Sequence, residues 1–158
     1  MFLEFVQSLL CSPRLCEGSA WVRRRFTVGE CLTTEGRLGQ SLFIVDHGRL
    51  AVLGRVELPD QSTLEITIAE LSVGDVFGEA ALIGGYESIA TVRALTDGDV
   101  LQIDGAMLMI YLDDHPDQGY LFFKYLLALE LDNMASTNRG MVNLSALGCK
   151  LFGVVRQP

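Results

Sequence analysis

Between Val22 and Ile103 no apolar run is longer than four residues before a glycine or a polar residue interrupts it. The runs are Val22/Phe26/Val28, Leu42-Phe43-Ile44-Val45, Leu50-Ala51-Val52-Leu53, Leu64/Ile66/Ile68, Ala90/Val92 and Val100-Leu101-Gln102-Ile103. Turn signals lie between them: Val28-Gly29-Glu30, Glu35-Gly36, His47-Gly48, Pro59-Asp60, Val73-Gly74-Asp75 and Asp97-Gly98. A helical bundle or a doubly wound parallel sheet needs longer helical periods between strands than these breaks allow. The pattern predicts a jelly-roll or barrel.

The two ends of the chain have a different texture. Phe2, Phe5, Val6 and Leu9 share one helical face, which predicts a short helix over 2–10. With Glu4 in place of a positive leader, the first residues read as this helix and not as a signal peptide. After Asp104, a candidate N-cap, "GAMLMIYLDD" and "PDQGYLFFKYLLALELDNM" predict two helices, the second opening on Pro116. One domain is expected, divided into a lead-in (1–19), the jelly-roll (20–103), the helices (104–138) and an apolar tail (139–158). Within the tail, "CKLFGVV" reads as a strand against this domain or a partner.

Charge and composition narrow the function. The formal net charge is −8 and the sequence pI is about 4.6, so a phosphodiester backbone is repelled on average. The one basic cluster, Arg23-Arg24-Arg25, lies in a strand, where alternation puts Arg24 on the face opposite the other two. No nucleic-acid partner is expected. No apolar run approaches the ~20 residues of a bilayer span, so a cytoplasmic protein without membrane contact is expected. Cys11, Cys16, Cys31 and Cys149 have no metal-ligand spacing and read as idle or buried thiols; no metal site is expected. His47 and His115 sit at turn positions and read as exposed turn residues. The mean hydropathy of +0.32 points to apolar surface buried against a second chain.

Residues 20 to 135 resemble a cyclic-nucleotide-binding domain, the fold shared by catabolite activator protein, protein kinase A regulatory subunits and gated ion channels. Three stretches carry the resemblance in order: "VGECLTTEGRLGQSLFIVDHGRLAV", "IAELSVGDVFGEAAL" and "ATVRALTDGDVLQID". It implies a mainly β fold, a jelly-roll of the cyclic-nucleotide-binding type (a double-stranded β-helix) with C-terminal helices. It also implies a ligand pocket at Phe77, Gly78, Glu79, Ala80, Ser88, Ile89, Ala90 and Thr91. In the family, a short helix after the position of Gly78 points its amides at the cyclic phosphate. The acid at Glu79 accepts from the ribose 2'-hydroxyl, and an arginine in a Pro-Arg pattern neutralises the phosphate.

This chain departs from that pattern. Aligned without gaps through Ala90-Thr91-Val92, Glu87 stands at the proline and Ser88 at the arginine. Glu87 adds a like charge beside the phosphate position, and Arg93 is the nearest candidate substitute. Losing one partner of a buried charge pair costs about 2–5 kcal/mol. Cyclic AMP and cyclic GMP are therefore expected to bind weakly or not at all, and no cofactor is expected. Without a ribose, Glu79 is expected to bond local amides, and Gly84-Gly85 to form a turn and not a phosphate nest.

No nucleophile-base arrangement supports an enzyme, and the chain as given leaves no room for a helix-turn-helix after Asn138. Two readings remain. One is a non-catalytic regulatory or interaction module that has lost its nucleotide; in ether-à-go-go-type channels of this family a segment of the chain itself fills the pocket, and on this reading the apolar tail is expected to do likewise. The other is a sensor of a different small molecule or nucleotide that regulates a partner protein. A homodimer through the last helix is expected, with Phe122, Tyr125, Leu126 and Leu129 as its contact stripe.

Overall fold

The computed structural model describes the backbone of residues 1–152 and the side chains of residues 1–140. Helix α1 (Phe2–Leu10) leads into eight strands: β1 (Trp21–Phe26), β2 (Cys31–Thr33), β3 (Ser41–His47), β4 (Leu50–Glu57), β5 (Thr63–Leu71), β6 (Val76–Phe77), β7 (Thr91–Ala94) and β8 (Gly98–Asp104). A single 3-10 turn, Glu79–Leu82, separates β6 from β7. Helices α2 (Gly105–Asp114) and α3 (Pro116–Phe152) follow.

The strands form two antiparallel four-stranded sheets, ordered β1-β8-β3-β6 and β2-β7-β4-β5. Alternation along the strands gives each sheet an inner and an outer face. Phe26, Phe43, Val45, Leu50, Leu71, Phe77, Val92 and Val100 fill the space between the sheets. Phe43 and Phe77 stack there with ring centroids 4.8 Å apart. The opposite face of β3 and β8 carries Leu42, Ile44, Leu101 and Ile103, which pack against α1, α2 and α3. The lead-in is pinned by an Arg14–Asp114 ion pair to the end of α2.

Local chemistry fixes the helix ends. The Asp104 carboxylate accepts from the Met107 amide at 2.8 Å, the N-cap bond of α2. Pro116, which has no N–H to lose, opens α3. His115 is not an exposed turn residue: it is half-buried, stacks on Tyr111 at 4.2 Å, and its ring nitrogen lies 2.8 Å from the Tyr111 carbonyl. His47, in contrast, is exposed beside Asp46. Arg23 and Arg25 meet Asp46 and Asp99 on the outer face of their sheet, while Arg24 turns the other way to Glu30 and Gln102. Cys11, Cys16 and Cys31 are free and exposed.

Two expectations about the C-terminal part change. Helix α3 runs without a break through 138/139, and Cys149–Phe152, read as part of a strand, is helical; Gly153–Val155 lie outside the described residues. A strand there would leave backbone groups in need of a sheet edge, whereas a continuing helix satisfies them internally. The stripe expected to meet a second copy is core. Phe122 is 0% exposed and packs on Phe2 at 5.4 Å, Leu126 is buried, and Tyr125 and Leu129 pack against the same cluster.

Candidate ligand cavity

The turn after β6 builds the site. Gly78 has φ 81°, and a Cβ there would lie 2.5 Å from the Ser41 carbonyl, so only glycine lets the chain turn this close to β3. Gly105, at the start of α2, would collide in the same way with the Ala81 carbonyl at 2.6 Å. These two contacts hold the 3-10 turn between β3 and α2. The expected helix after Gly78 is this one turn of four residues. Beyond it, Gly84 and Gly85 have φ of 64° and 75° with open space around them, as a turn requires.

The arm that returns to β7 is zipped to the loop after β2. The Ser88 amide donates to the Arg37 carbonyl at 2.7 Å, and the Gly36 amide donates to the Ser88 carbonyl at 2.9 Å. Thr91 is buried, and its hydroxyl accepts from the Glu35 amide at 3.1 Å. Thr91 therefore supports the wall from behind and does not line the cavity.

A cavity of about 670 Å³ opens between this turn, the inner face of β4, β5 and β7, and one face of α3. Phe77, Gly78, Glu79, Ala80, Ser88, Ile89 and Ala90 all line it. Val52, Ile68, Leu71 and Val92 form its apolar wall. The sequence reading missed the other wall: Glu130, Asn133, Met134 and Thr137 of α3. The spacing 130, 133, 134, 137 is one helical face, a signal present in the sequence but without a visible target.

Among the described residues, the charges in this wall are all of one sign: Glu70, Asp75, Glu79 and Glu130 line the cavity, and no described lysine or arginine does. Glu70 meets Arg49 outside, and Asp75 accepts from the Ser72 amide and hydroxyl. Glu79 and Glu130 have no hydrogen-bond or ion-pair partner among the described residues, so Glu79 does not bond local amides as expected. Burial, and then the Glu79 charge, push the Glu130 carboxyl above the usual carboxylate range. Glu87 is exposed and lines no part of the cavity, which removes it from the phosphate position. Arg93 is no substitute cation: it points away from the cavity and pairs with Glu65 on the outer face of its sheet.

An adjoining cavity of about 300 Å³ shares Thr33, Gly78 and Ser88 with the larger one. It presents two guanidiniums, Arg24 and Arg37. Arg24 is held by Glu30 at 2.6 Å, and Arg37 is exposed.

The raised Glu130 carboxyl makes a prediction for stability. The folded state holds an extra proton between the ordinary carboxylate range and the raised value, so stability falls as pH rises through that window. Above it the loss is constant. Glu130→Gln is therefore expected to melt higher than the native chain at pH 7 and to converge with it at acid pH. Melting curves from pH 3 to 8 check this; equal melting temperatures at pH 7 would contradict it.

The profile of the family "Cyclic nucleotide-binding domain" matches residues 23–115, more than half of the chain. The chain belongs to that family. It is similar to human cyclic nucleotide-gated channel beta-3, 31% identical over 99 residues, which cover 61% of this chain and 12% of the channel. Among solved structures, it is similar to the Thermus thermophilus catabolite activator protein, with a TM-score of 0.64 and 26% identity over 90% of this chain and 59% of that one. A cyclic nucleotide-binding domain from Methylobacillus flagellatus shares the fold, with a TM-score of 0.71 and 22% identity over 89% of this chain and 72% of that one. The chain thus spans a small part of the channel and about three-fifths of the activator protein. Among the described residues no helix is long and apolar enough to cross a membrane.

Proposed function

We propose that this cyclic nucleotide-binding domain is a non-catalytic regulatory module whose cavity no longer favours cyclic AMP or cyclic GMP. The charge of the cavity wall carries this reading: among the described residues, two unpartnered carboxylates, Glu79 and Glu130, and no cation, with Ser88 where the family has its arginine. A phosphate about 6 Å from one carboxylate meets roughly 2–3 kcal/mol of repulsion at an effective dielectric of 20. Water entering the half-buried cavity lowers that figure, but its sign remains unfavourable. Arg24 in the adjoining cavity is already neutralised by Glu30, and the exposed Arg37 is screened by solvent.

The cavity itself favours a second reading, a sensor of another small molecule that regulates a partner protein. Its volume falls within the usual range for ligand sites. No described side chain fills it. Melting experiments with cyclic AMP and cyclic GMP test the first reading. A ligand at 100 times its dissociation constant stabilises by about 2.7 kcal/mol. No shift is expected at millimolar nucleotide; a shift already saturating at micromolar nucleotide would contradict it.

We further propose a homodimer through the outer face of α3. Tyr120, Phe123, Leu127 and Leu131 follow one another at spacings of 3, 4 and 4, an apolar stripe of the kind that pairs two helices. Leu127 and Leu131 are 61% and 57% exposed, so the fold itself does not use them. Light scattering at tens of micromolar is expected to give a dimer, and Leu127→Asp with Leu131→Asp a folded monomer. A native chain that is already monomeric would refute the seam.

A further inference from the structure

We propose that the larger cavity takes an organic monocation, a protonated amine or guanidinium carried on an apolar body, with the cationic group between Glu79 and Glu130. This rests on the reading that the cavity no longer favours a cyclic phosphate. The geometry supplies both ends of such a ligand. Val52, Ile68, Leu71 and Val92 on the sheet side bury an apolar body of drug-like size in about 670 Å³. Across from them, Glu79 from the 3-10 turn and Glu130 from α3 face the same space, half-buried and without partners among the described residues.

Burial, and then the Glu79 charge, disfavour the Glu130 carboxylate and raise its carboxyl. A cation placed between them removes both penalties at once, whereas an anion adds to them and a neutral body leaves them unchanged. A metal ion fits less well. Among the described residues no three His, Cys, Asp or Glu side chains converge to hold one, and the apolar wall would have no occupant. Ser88, Asn133 and Thr137 line the same cavity and supply oxygen acceptors for the remaining N–H groups.

The ligand contacts join the 3-10 turn to α3, the two elements that carry Glu79 and Glu130. Occupancy therefore ties the binding site directly to the helix that carries the outer apolar seam.

The test uses one molecular body in three charge states: tryptamine, uncharged 3-ethylindole and anionic indole-3-propionate. Phenethylamine and 4-phenylbutylamine extend the cationic set. Each is added at up to about 10 mM in melting experiments on the full chain. At least one amine is expected to raise the melting temperature, and if tryptamine does so it should bind at least about tenfold more tightly than its neutral and anionic counterparts. The stabilisation should vanish in Glu79→Gln with Glu130→Gln, a variant that removes two repelling charges and so keeps its fold, as its ligand-free melt will report. Binding that is equal across the three charge states, binding that survives the double variant, or no stabilisation by any of the three amines overturns the proposal. Tight cyclic AMP binding would instead overturn the reading beneath it, so the two failures are distinguishable.

Discussion

Phe122→Asp is expected to abolish cooperative unfolding, leaving a chain without a native melting transition. Phe122 is 0% exposed at the junction of α1, α3 and the outer face of β3 and β8. Removing a buried phenylalanine costs about 3–5 kcal/mol. A carboxylate in the same place adds an unpaired buried charge, which must either stay protonated or draw water into the core. Total stability of a domain is only about 5–15 kcal/mol, so the two costs together take most of it. Circular dichroism melting reads the result directly. The same substitution on the outer face, Leu127→Asp, should leave the transition in place. If Phe122→Asp melts like the native chain, α3 is not anchored as described, and the cavity loses its lid.

The second large effect is a gain of function. Ser88→Arg with Glu87→Pro is expected to raise cyclic AMP affinity at least about tenfold over the native chain, or about 1.4 kcal/mol, a part of the roughly 2–5 kcal/mol typical of a buried charge pair. Both changes suit the backbone. The Glu87 amide donates no backbone hydrogen bond among those described, so proline forfeits none. The Ser88 amide and carbonyl keep their bonds to Arg37 and Gly36 whatever the side chain. A guanidinium at position 88 would also face Glu79 and Glu130 in the same cavity, and part of its charge would be spent on them. Adding Glu130→Gln should therefore raise the affinity further. A double variant that binds cyclic AMP no better than the native chain would mean that the cradle has lost more than its cation.

The strands were legible because glycine and polar turns mark every reversal from Gly29 to Gly98. The caps of α2 and α3 were legible for a similar reason: Asp104 and Pro116 act locally, through their own backbone. What could not be read depends on which face meets which. Helix α3 carries two apolar stripes, and periodicity shows both without saying which one the sheet claims. Phe122 lies against Phe2, at the far end of the chain, and that contact decides the matter. The length of α3 was hidden by Asn138 and Gly140, weak helix formers that read as an end.

The site divides along the same line. Every cassette residue from Phe77 to Ala80 and from Ser88 to Ala90 lines the cavity, because these positions follow from the backbone path around Gly78. Glu130 was invisible, since it approaches Glu79 only through the docking of α3. Glu87 was misplaced because adjacency in sequence to Ser88 says nothing about which side of the arm faces inward. Among the described residues the wall is short of a cation, and Glu87 has no part in that. The opposing charge comes from the helix that covers the cavity, not from the neighbour in the loop.

The central claim is that the fold keeps its cavity while the charge of the wall turns a cyclic phosphate away. Isothermal titration of cyclic AMP into the native chain at low salt tests it most directly, because low salt leaves the carboxylates unscreened. The expected result is no saturable heat below about 1 mM nucleotide, with weak affinity improving as salt is added. Saturable binding at micromolar concentration, weakening with salt in the manner of an anion held by arginine, would contradict the account.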